Sequence, residues 1–321
     1  MKILDLFCGA GGFFQGFSHL SYDSHLAIDI DEHALKTYKL NHPHATILQT
    51  DINEIHSQQI VEKLHGEPDI IIASPPCEEF SKANPDSQKS AAERIYGEGT
   101  ATLLLDAIRL IGDLTPKVFI IENVAAILQD GGKDIITREF ERVDIDSVEF
   151  NLIRAHQHGN PSKRLRVFIS NIRLKLPRRH PPSVIESIGD LPSLNINRIF
   201  SPGEDVANHE VYPLSQEKMK LVQKARWGQG ARHFRVSKKR SLPNWVRLFP
   251  DRPATSINGL SRYIHPYEDR LLSVREHARL MSYPDSFVFY GPTDNQYNQV
   301  GESVPPLVSH LIAQEVCNQI E

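Results

Sequence analysis

The first half of the chain alternates short apolar runs with helical stretches, and this alternation limits the fold more than any other feature. Runs with strand character occupy residues 3–7, 25–28, 46–48, 70–73 and 118–121. Between them, stretches such as 32–40 and 101–114 carry apolar residues at helical spacing. Such alternation is typical of a parallel sheet covered on both faces. We therefore predict an α/β fold with a doubly wound, Rossmann-like sheet that binds ligands at the carboxyl ends of its strands.

The fourth run leads directly to a cysteine. Ser74, Pro75 and Pro76 separate the run from Cys77. Because proline lacks an N–H donor and has a fixed φ, the strand ends there and Cys77 emerges at the predicted ligand-binding edge. A free cysteine is also among the most buried residue types, so the run alone leaves a structural thiol as the alternative to a reactive one.

A glycine-rich turn follows the first run, and acidic residues follow the next two. The turn comprises residues 8–12, Cys-Gly-Ala-Gly-Gly, and a helix is predicted from about residue 13 to 20. Glycines let the backbone approach a ligand closely, and a helix N terminus attracts negative charge. Asp29 ends the second run at the spacing of an acid that binds ribose hydroxyls, and Asp51 ends the third. The turn alone could be a simple strand–helix connection.

The fifth run places a carboxylate, Glu122, at the same edge as Cys77. The alternative for Glu122 is a helix-capping acid, because a helix is predicted to begin at Val124. Farther along the chain, Arg164 and Arg166 alternate on a predicted strand and are expected to reach one side. Two histidines nearby lack a third ligand, so no metal site is predicted.

Composition indicates two domains in a soluble chain. The 321 residues exceed the usual size of one core, and prolines become frequent beyond residue 171. We predict one domain at 1–175 plus 298–321, and a smaller, irregular second domain at 176–297. Three scattered cysteines and the lack of a membrane-length apolar segment suggest a cytoplasmic protein with no membrane partner.

One span has a charge opposite to that of the whole chain. The formal net charge is -4, yet residues 218–247 contain ten Lys or Arg, no Asp or Glu, and three interleaved aromatic residues. A short basic run is usually a solvated surface. Thirty residues without one acid favour a polyanion partner instead.

Together, these motifs resemble those of the 5-cytosine DNA methyltransferases over essentially the whole chain. Six segments carry the resemblance in family order: residues 5–12, Pro75-Pro76-Cys77, Glu122-Asn123-Val124, Arg164-Leu165-Arg166, residues 252–276 and residues 299–306. The resemblance implies methyl transfer from S-adenosylmethionine to carbon 5 of a flipped-out cytosine in a specific double-stranded DNA sequence. S-adenosylhomocysteine is the implied second product. The resemblance also implies that 1–175 plus 298–321 is the catalytic and cofactor-binding domain and that 176–297 is the target-recognition domain.

The resemblance also assigns roles to individual residues. Cys77 is the implied nucleophile at carbon 6 and Glu122 the implied acid, with Arg164 and Arg166 as catalytic cations. The implied cofactor-binding residues are Phe7, Gly9, Ala10, Gly11, Gly12, Asp29, Ile30, Asp51, Ile52, Pro75 and Ser303. The implied DNA-binding residues are Ser81, Lys82, Arg226, Arg232, Arg235, Lys238, Lys239 and Arg240, and residues 78–100 are the candidate lid.

Three positions depart from the family pattern, and other interpretations remain. Glu78 and Ser162 replace glutamines, and Glu302 replaces an asparagine. The compact chain suggests a monomeric prokaryotic modification enzyme with a cognate restriction endonuclease as its functional partner. The alternatives are a tRNA cytosine-5 methyltransferase, whose Cys-Phe-Thr signature is absent here, a catalytically silent DNA-binding relative, and a generic nucleotide-binding oxidoreductase.

Overall fold

The computed structural model describes residues 1–80, 89–194, 206–237, 240–260 and 262–320. The chain divides into two compact units. The first comprises Met1–Arg154, Leu165–Pro177 and Val308–Glu321, and the second comprises Ala155–Arg164 and Arg178–Leu307. This division departs from the predicted domain boundaries at 155–164 and 298–307, which group with the second unit. The functional roles assigned to the two parts stay predictions.

The first unit is built on a sheet of seven strands in the described part of the chain. They are β1 (Lys2–Leu6), β2 (Ser24–Asp29), β3 (Thr46–Gln49), β4 (Ile70–Ala73), β5 (Val118–Val124), β6 (Glu149–Arg154) and β7 (Leu165–Ser170). Their order is β3-β2-β1-β4-β5-β7-β6. Strands β1 to β5 pair in parallel, and β7 pairs antiparallel with both β5 and β6. The predicted doubly wound α/β fold is confirmed.

The helices fall into both units. In chain order they are α1 (Gly12–Phe17), α2 (Glu32–Asn41), α3 (Ser57–Leu64), α4 (Ala91–Ile95), α5 (Leu103–Leu114), α6 (Gly132–Glu141), α7 (Val184–Ile188), α8 (Gln216–Lys224), α9 (Val274–Leu280), α10 (Thr293–Glu302) and α11 (Pro306–Ile320). None of the described helices is long and apolar enough to cross a membrane.

Side-chain alternation along β1 explains why helices cover both faces of the sheet. Leu4 and Leu6 face a large apolar cluster built with residues of α3, α5 and α6. Asp5 lies between them and bonds to Tyr38 of α2 on the other face. Helix α1 packs closely on α11, because a Cβ at Gly16 would lie 2.2 Å from the backbone nitrogen of His310. The central strands are therefore buried on both faces, as their mainly apolar runs indicate.

The second unit contains a smaller sheet. Its strands are β8 (Gly230–Ser237), β9 (Arg240–Arg247) and β10 (Tyr263–Ile264), in the order β10-β9-β8. Val222, Trp245 and Ile264 form a small buried cluster beneath them. A buried ion pair joins Arg270 to Glu276, whose backbone N–H is capped by Ser273.

Candidate active site

Two segments leave the sheet where its strand order reverses. Strands β2 and β3 lie on one side of β1, whereas β4 and β5 lie on the other. Residues 7–12 follow β1, and residues 74–77 follow β4. The N–H of Ser74 donates to the carbonyl of Leu6 at 3.1 Å, so the two segments start side by side. In doubly wound sheets this crevice at the carboxyl ends is the ligand-binding position.

The turn after β1 holds its glycines for two different reasons. Gly9 has φ +51° and nothing within 4 Å of where a Cβ would be, so its backbone faces open space. Gly11 has φ +92°, and a Cβ there would lie 3.0 Å from the rings of Tyr38 and His42. Phe7 also has a positive φ of 54°. Gly9 thus leaves room for a ligand, whereas Gly11 lets the turn pack on α2.

Asp29 ties the end of β2 to this turn. One of its carboxylate oxygens accepts the N–H of Gly9 at 2.8 Å, and the other accepts the N–H of Asp31 at 2.9 Å. Burial raises the pKa of Asp29, although these backbone hydrogen bonds act in the opposite direction. The next residue, Ile30, is 65% exposed at the same edge. An acid and an exposed apolar side chain therefore flank the open space at Gly9.

A buried polar chain supports the turn from behind. The hydroxyl of Tyr38 donates to Asp5 at 2.9 Å and lies 2.7 Å from Nε2 of His25. His25 stacks on Phe14, with ring centroids 3.5 Å apart. Burial lowers the pKa of His25 to about 3 and that of His42 to about 4, and it raises the pKa of Asp5 well above its usual value. Both histidine rings are therefore neutral near pH 7.

Asn123 joins the cysteine segment to β5. Its side-chain amide is fully buried and donates to the carbonyl of Pro75 at 3.4 Å. Its oxygen accepts the N–H of Val124 at 2.9 Å. Cys77 follows two residues after Pro75 and is partly exposed, and Glu78 after it is exposed at the start of a short 3₁₀ helix. The hydrogen bond from the Asn123 amide therefore links the Cys77 segment to the strand that carries Glu122.

Glu122 is a strand residue and forms an ion pair. It lies inside β5 rather than at a helix start, which was the alternative to the predicted strand-edge position, and only a short 3₁₀ helix follows at Ala125–Leu128. Its side chain is buried, and its Oε1 lies 2.8 Å from Nε of Arg166. The Nη1 of Arg166 donates to the carbonyl of Leu165 at 2.9 Å. A buried carboxylate is thus oriented by a cation from β7.

Arg164 does not share the position expected for it beside Arg166. Strand β7 begins at Leu165, so Arg164 precedes the strand and the alternation that was assumed does not extend to it. It is 2% exposed and belongs to the second unit, where its Nη1 donates to the carbonyls of Ile257 and Gly301, each at 2.8 Å. Its contacts in that unit are structural, and a catalytic role for Arg164 stays a prediction.

The other predicted residues lie in three places. Ala10, Gly12, Ile52 and Pro75 are buried at the carboxyl edge of the first unit, and Asp51 accepts the N–H of Asn53 there at 3.0 Å. Ser303 belongs to the second unit and donates to the carbonyl of Val300 at 2.8 Å. Arg226, Arg232 and Arg235 are exposed, and Arg240 begins β9. Ser81, Lys82, Lys238 and Lys239 lie outside the described residues.

Two contributors were missing from the predicted site. Asn123 was named only as part of a motif, because the predicted strand stopped at residue 121 and its buried hydrogen bond depends on the extension of β5 to Val124. The set of Asp5, His25 and Tyr38 was not predicted, because its members are distant in sequence. An acid within the apolar run 3–7 was the available signal. No cluster of His, Cys, Asp or Glu in the described ranges could hold a metal.

The family model for C-5 cytosine-specific DNA methylase matches residues 1–318. The chain belongs to this family. S-adenosylmethionine is the methyl donor of these enzymes, and DNA cytosine-5 methylation is the activity of the chain. The open backbone at Gly9, with Asp29 and Ile30 beside it, fits a nucleoside cofactor.

Individual relatives agree with the family. The chain is 41% identical over 327 residues to a Methanocaldococcus jannaschii protein named as type II methyltransferase M.MJ0563P, covering 100% of both. It is 31% identical to type II methyltransferase M1.HphI of Haemophilus parahaemolyticus, covering 98% of this chain and 86% of that protein. A crystal structure from E. coli, described as a DNA modification methyltransferase encoded within a prophage, has a TM-score of 0.77 at 23% identity and covers 100% and 99% of the two chains. This structural match supports the fold alone.

Proposed function

We propose that this cytosine-5 methylase acts on a flipped-out cytosine in a specific double-stranded DNA sequence, through a covalent bond between Cys77 and carbon 6. The observation that carries the proposal is the hydrogen bond from the Asn123 side-chain amide to the carbonyl of Pro75, which links the Cys77 segment to β5. The same strand carries Glu122 and its ion pair with Arg166. A nucleophile and an oriented acid in one unit are what this addition chemistry needs.

The proposed reaction begins at the sulfur. The Cys77 thiolate forms a bond to carbon 6, and the electron pair of the carbon 5–carbon 6 double bond moves into the ring toward N3. Glu122 in its protonated form donates its proton to N3, which neutralises the negative charge that develops there, and it takes the proton back when the carbon–sulfur bond breaks; Arg166 holds its carboxyl in place. Carbon 5 thereby becomes an enamine-like nucleophile. S-adenosylmethionine supplies the methyl group, and loss of the carbon 5 proton to a base then lets the carbon–sulfur bond break.

The cofactor contacts are assigned by position. Phe7 and residues 9–12 would line the methionine and adenosine path, with the open side of Gly9 providing close approach. Asp29 is proposed to bind ribose hydroxyls, and Ile30 to pack on the adenine ring. Asp51, Ile52, Pro75 and Ser303 complete the proposed set.

DNA is the proposed partner of the basic second unit. Arg226, Arg232 and Arg235 are exposed within a span that contains no acid. Arg247, in the same span, is buried against backbone carbonyls and Asp269, so it is excluded from this role. The names of the relatives suggest a type II modification enzyme whose functional partner is a restriction endonuclease. A monomer acting on DNA and the predicted division into catalytic and target-recognition domains belong to this proposal.

Labelled methyl transfer tests the proposal. Purified protein should transfer tritiated methyl from S-adenosylmethionine to duplex DNA of mixed sequence, and bisulfite sequencing should locate the label at cytosines in one sequence context. Cys77→Ala should abolish transfer and retain cofactor binding by calorimetry. Cys317→Ala, which changes a partly exposed cysteine elsewhere, is the matched control and should transfer at the parent rate. Transfer to tRNA but not to DNA would overturn the proposal.

A further inference from the structure

The hairpin formed by β8 and β9 extends beyond its sheet as a two-stranded ribbon. The two strands pair antiparallel from Gly230 with Val246 to Ser237 with Arg240. Strand β10 pairs only with Val246 and Arg247, at the base of β9. The rest of the hairpin therefore has no third strand among the described residues.

The two faces of this ribbon differ in their contacts. His233 pairs with Pro243, and Arg235 pairs with Ser241, so the four side chains share one face, here called the outer face. All four residues are exposed. On the opposite face Asn244 donates to the carbonyl of Leu260 at 3.4 Å and accepts the N–H of Arg262 at 3.0 Å. One face is thus anchored to the second unit, while the outer face is accessible.

The dimensions of the ribbon match a DNA groove. Strands of eight residues extend for about 26 Å, and paired strands lie about 5 Å apart. The major groove of B-form DNA is about 12 Å wide and admits a two-stranded ribbon. No acidic residue occurs between positions 218 and 247. Both shape and charge therefore favour a DNA duplex as the occupant of the outer face.

The side chains on the outer face suit bases better than phosphates alone. Arg235 has a planar guanidinium that can bind O6 and N7 of guanine together, and His233 and Ser241 can each donate or accept a hydrogen bond. Pro243 adds an apolar surface suited to a thymine methyl group. A surface serving only as a phosphate contact needs none of this variety.

We propose that the outer face of the hairpin enters the major groove and that His233, Arg235 and Ser241 determine which DNA sequence is methylated. The proposal rests on the proposed DNA methylation and goes beyond it, because it assigns sequence discrimination to one face of one hairpin. Arg226, outside the hairpin, is assigned a phosphate contact instead. It therefore serves as the contrasting position.

Methylation of a random-sequence duplex library tests the proposal. Bisulfite sequencing should show that His233→Ala, Arg235→Ala and Ser241→Ala each relax discrimination at one base position, by about 10- to 100-fold for Arg235. Arg235→Lys keeps the charge but loses the two parallel N–H donors of the guanidinium. It should therefore relax discrimination at the same base position as Arg235→Ala. Arg226→Ala should weaken methylation uniformly across sequences. Lys63→Ala, an exposed change in the first unit, should alter neither property.

Two controls separate the outcomes. Cofactor affinity and unfolding temperature should be unchanged in every hairpin variant, since the altered side chains are exposed. If all three hairpin variants keep the parent sequence preference, the inference is overturned while DNA methylation stands. A parent enzyme that methylates every cytosine context equally also overturns it, and a parent enzyme inactive on all duplexes removes the proposed function with it.

Discussion

The Nε atom of Arg166 lies 2.8 Å from Oε1 of Glu122, and the register of β5 and β7 produces this contact. Arg166 is directly opposite Val124, and Glu122 is opposite Phe168, so the ion pair runs diagonally between side chains on the same face of the sheet. A shift of one residue would move Arg166 to the other face. The orientation of the proposed acid thus depends on an antiparallel strand more than forty residues away in sequence.

Arg166→Gln should lower the rate of methyl transfer by about 100-fold while cofactor affinity stays near that of the parent. The reason is that the Glu122 carboxylate would be left buried without its cation, a change that also destabilises the fold by about 3 kcal/mol. The measurements are single-turnover transfer and urea unfolding. The pair Glu122→Gln and Arg166→Gln should be strongly non-additive in rate. Additive losses would show that the two side chains act separately.

The two glycines of the turn should respond differently to alanine. Gly9→Ala places a methyl group in open space, so we expect a modest loss of stability from the positive φ and a loss of cofactor affinity of at least about 10-fold. Gly11→Ala presses on Tyr38 and His42 in the free protein and should lower the unfolding temperature more than Gly9→Ala does. Calorimetric titration and thermal unfolding measure the two effects. Equal cofactor affinity in Gly9→Ala and the parent would contradict this assignment.

Asn123→Ala should impair catalysis without weakening cofactor binding. The amide donates to Pro75, and its loss leaves a buried carbonyl unsatisfied and releases the segment that carries Cys77. We expect transfer to fall by about 10- to 100-fold, because misplacement of a nucleophile by about 1 Å has effects of that size. Single-turnover transfer and calorimetric titration of the cofactor are the two measurements. Asn151→Ala is the matched control and should retain activity. It removes the side-chain amide of β6 that donates to the carbonyls of Phe168 and Ile172. Similar losses in both variants would indicate general destabilisation.

Sequence patterns predict the carboxyl edge well because each buried strand is a mainly apolar run that is followed by a polar residue or a turn. This reasoning locates Asp29, Cys77 and the strand that carries Glu122. It stops the fifth strand at residue 121, whereas β5 extends to Val124 because its last residues pair with β7. Local apolar patterns contain no information about a partner strand so far along the chain.

The same limit explains the difference between Arg164 and Arg166. Alternation predicts a common face only within one strand, and β7 begins between the two residues. The backbone N–H of Arg164 donates to the carbonyl of Ser162, so the chain turns just before the strand. The spacing of the two arginines in sequence is the same whether or not both lie in one strand. Only the partners, Glu122 for one arginine and the Ile257 and Gly301 carbonyls for the other, distinguish them.

The buried ring of His25 makes the stability of the first unit sensitive to acid. Its pKa is about 3 in the folded protein and about 6.5 in the unfolded chain. Below pH 6.5 the unfolded chain therefore takes up a proton that the folded protein does not, so stability present above pH 6.5 is lost as the pH falls toward 3. Asp5, whose pKa is raised, contributes with the opposite sign, and a comparison of variants isolates the histidine.

His25→Phe should therefore gain stability relative to the parent as the pH falls. Phenylalanine can keep the stacking on Phe14 but cannot titrate. Between pH 7 and pH 5 the difference in unfolding free energy between variant and parent should move in favour of the variant by about 2 kcal/mol. Urea unfolding at a series of pH values measures it. His44→Asn changes an exposed histidine nearby and should show a much smaller movement. A pH-independent difference between His25→Phe and the parent would mean that His25 is protonated in the folded protein, and the chain from His25 through Tyr38 to Asp5 would then contain a buried cation.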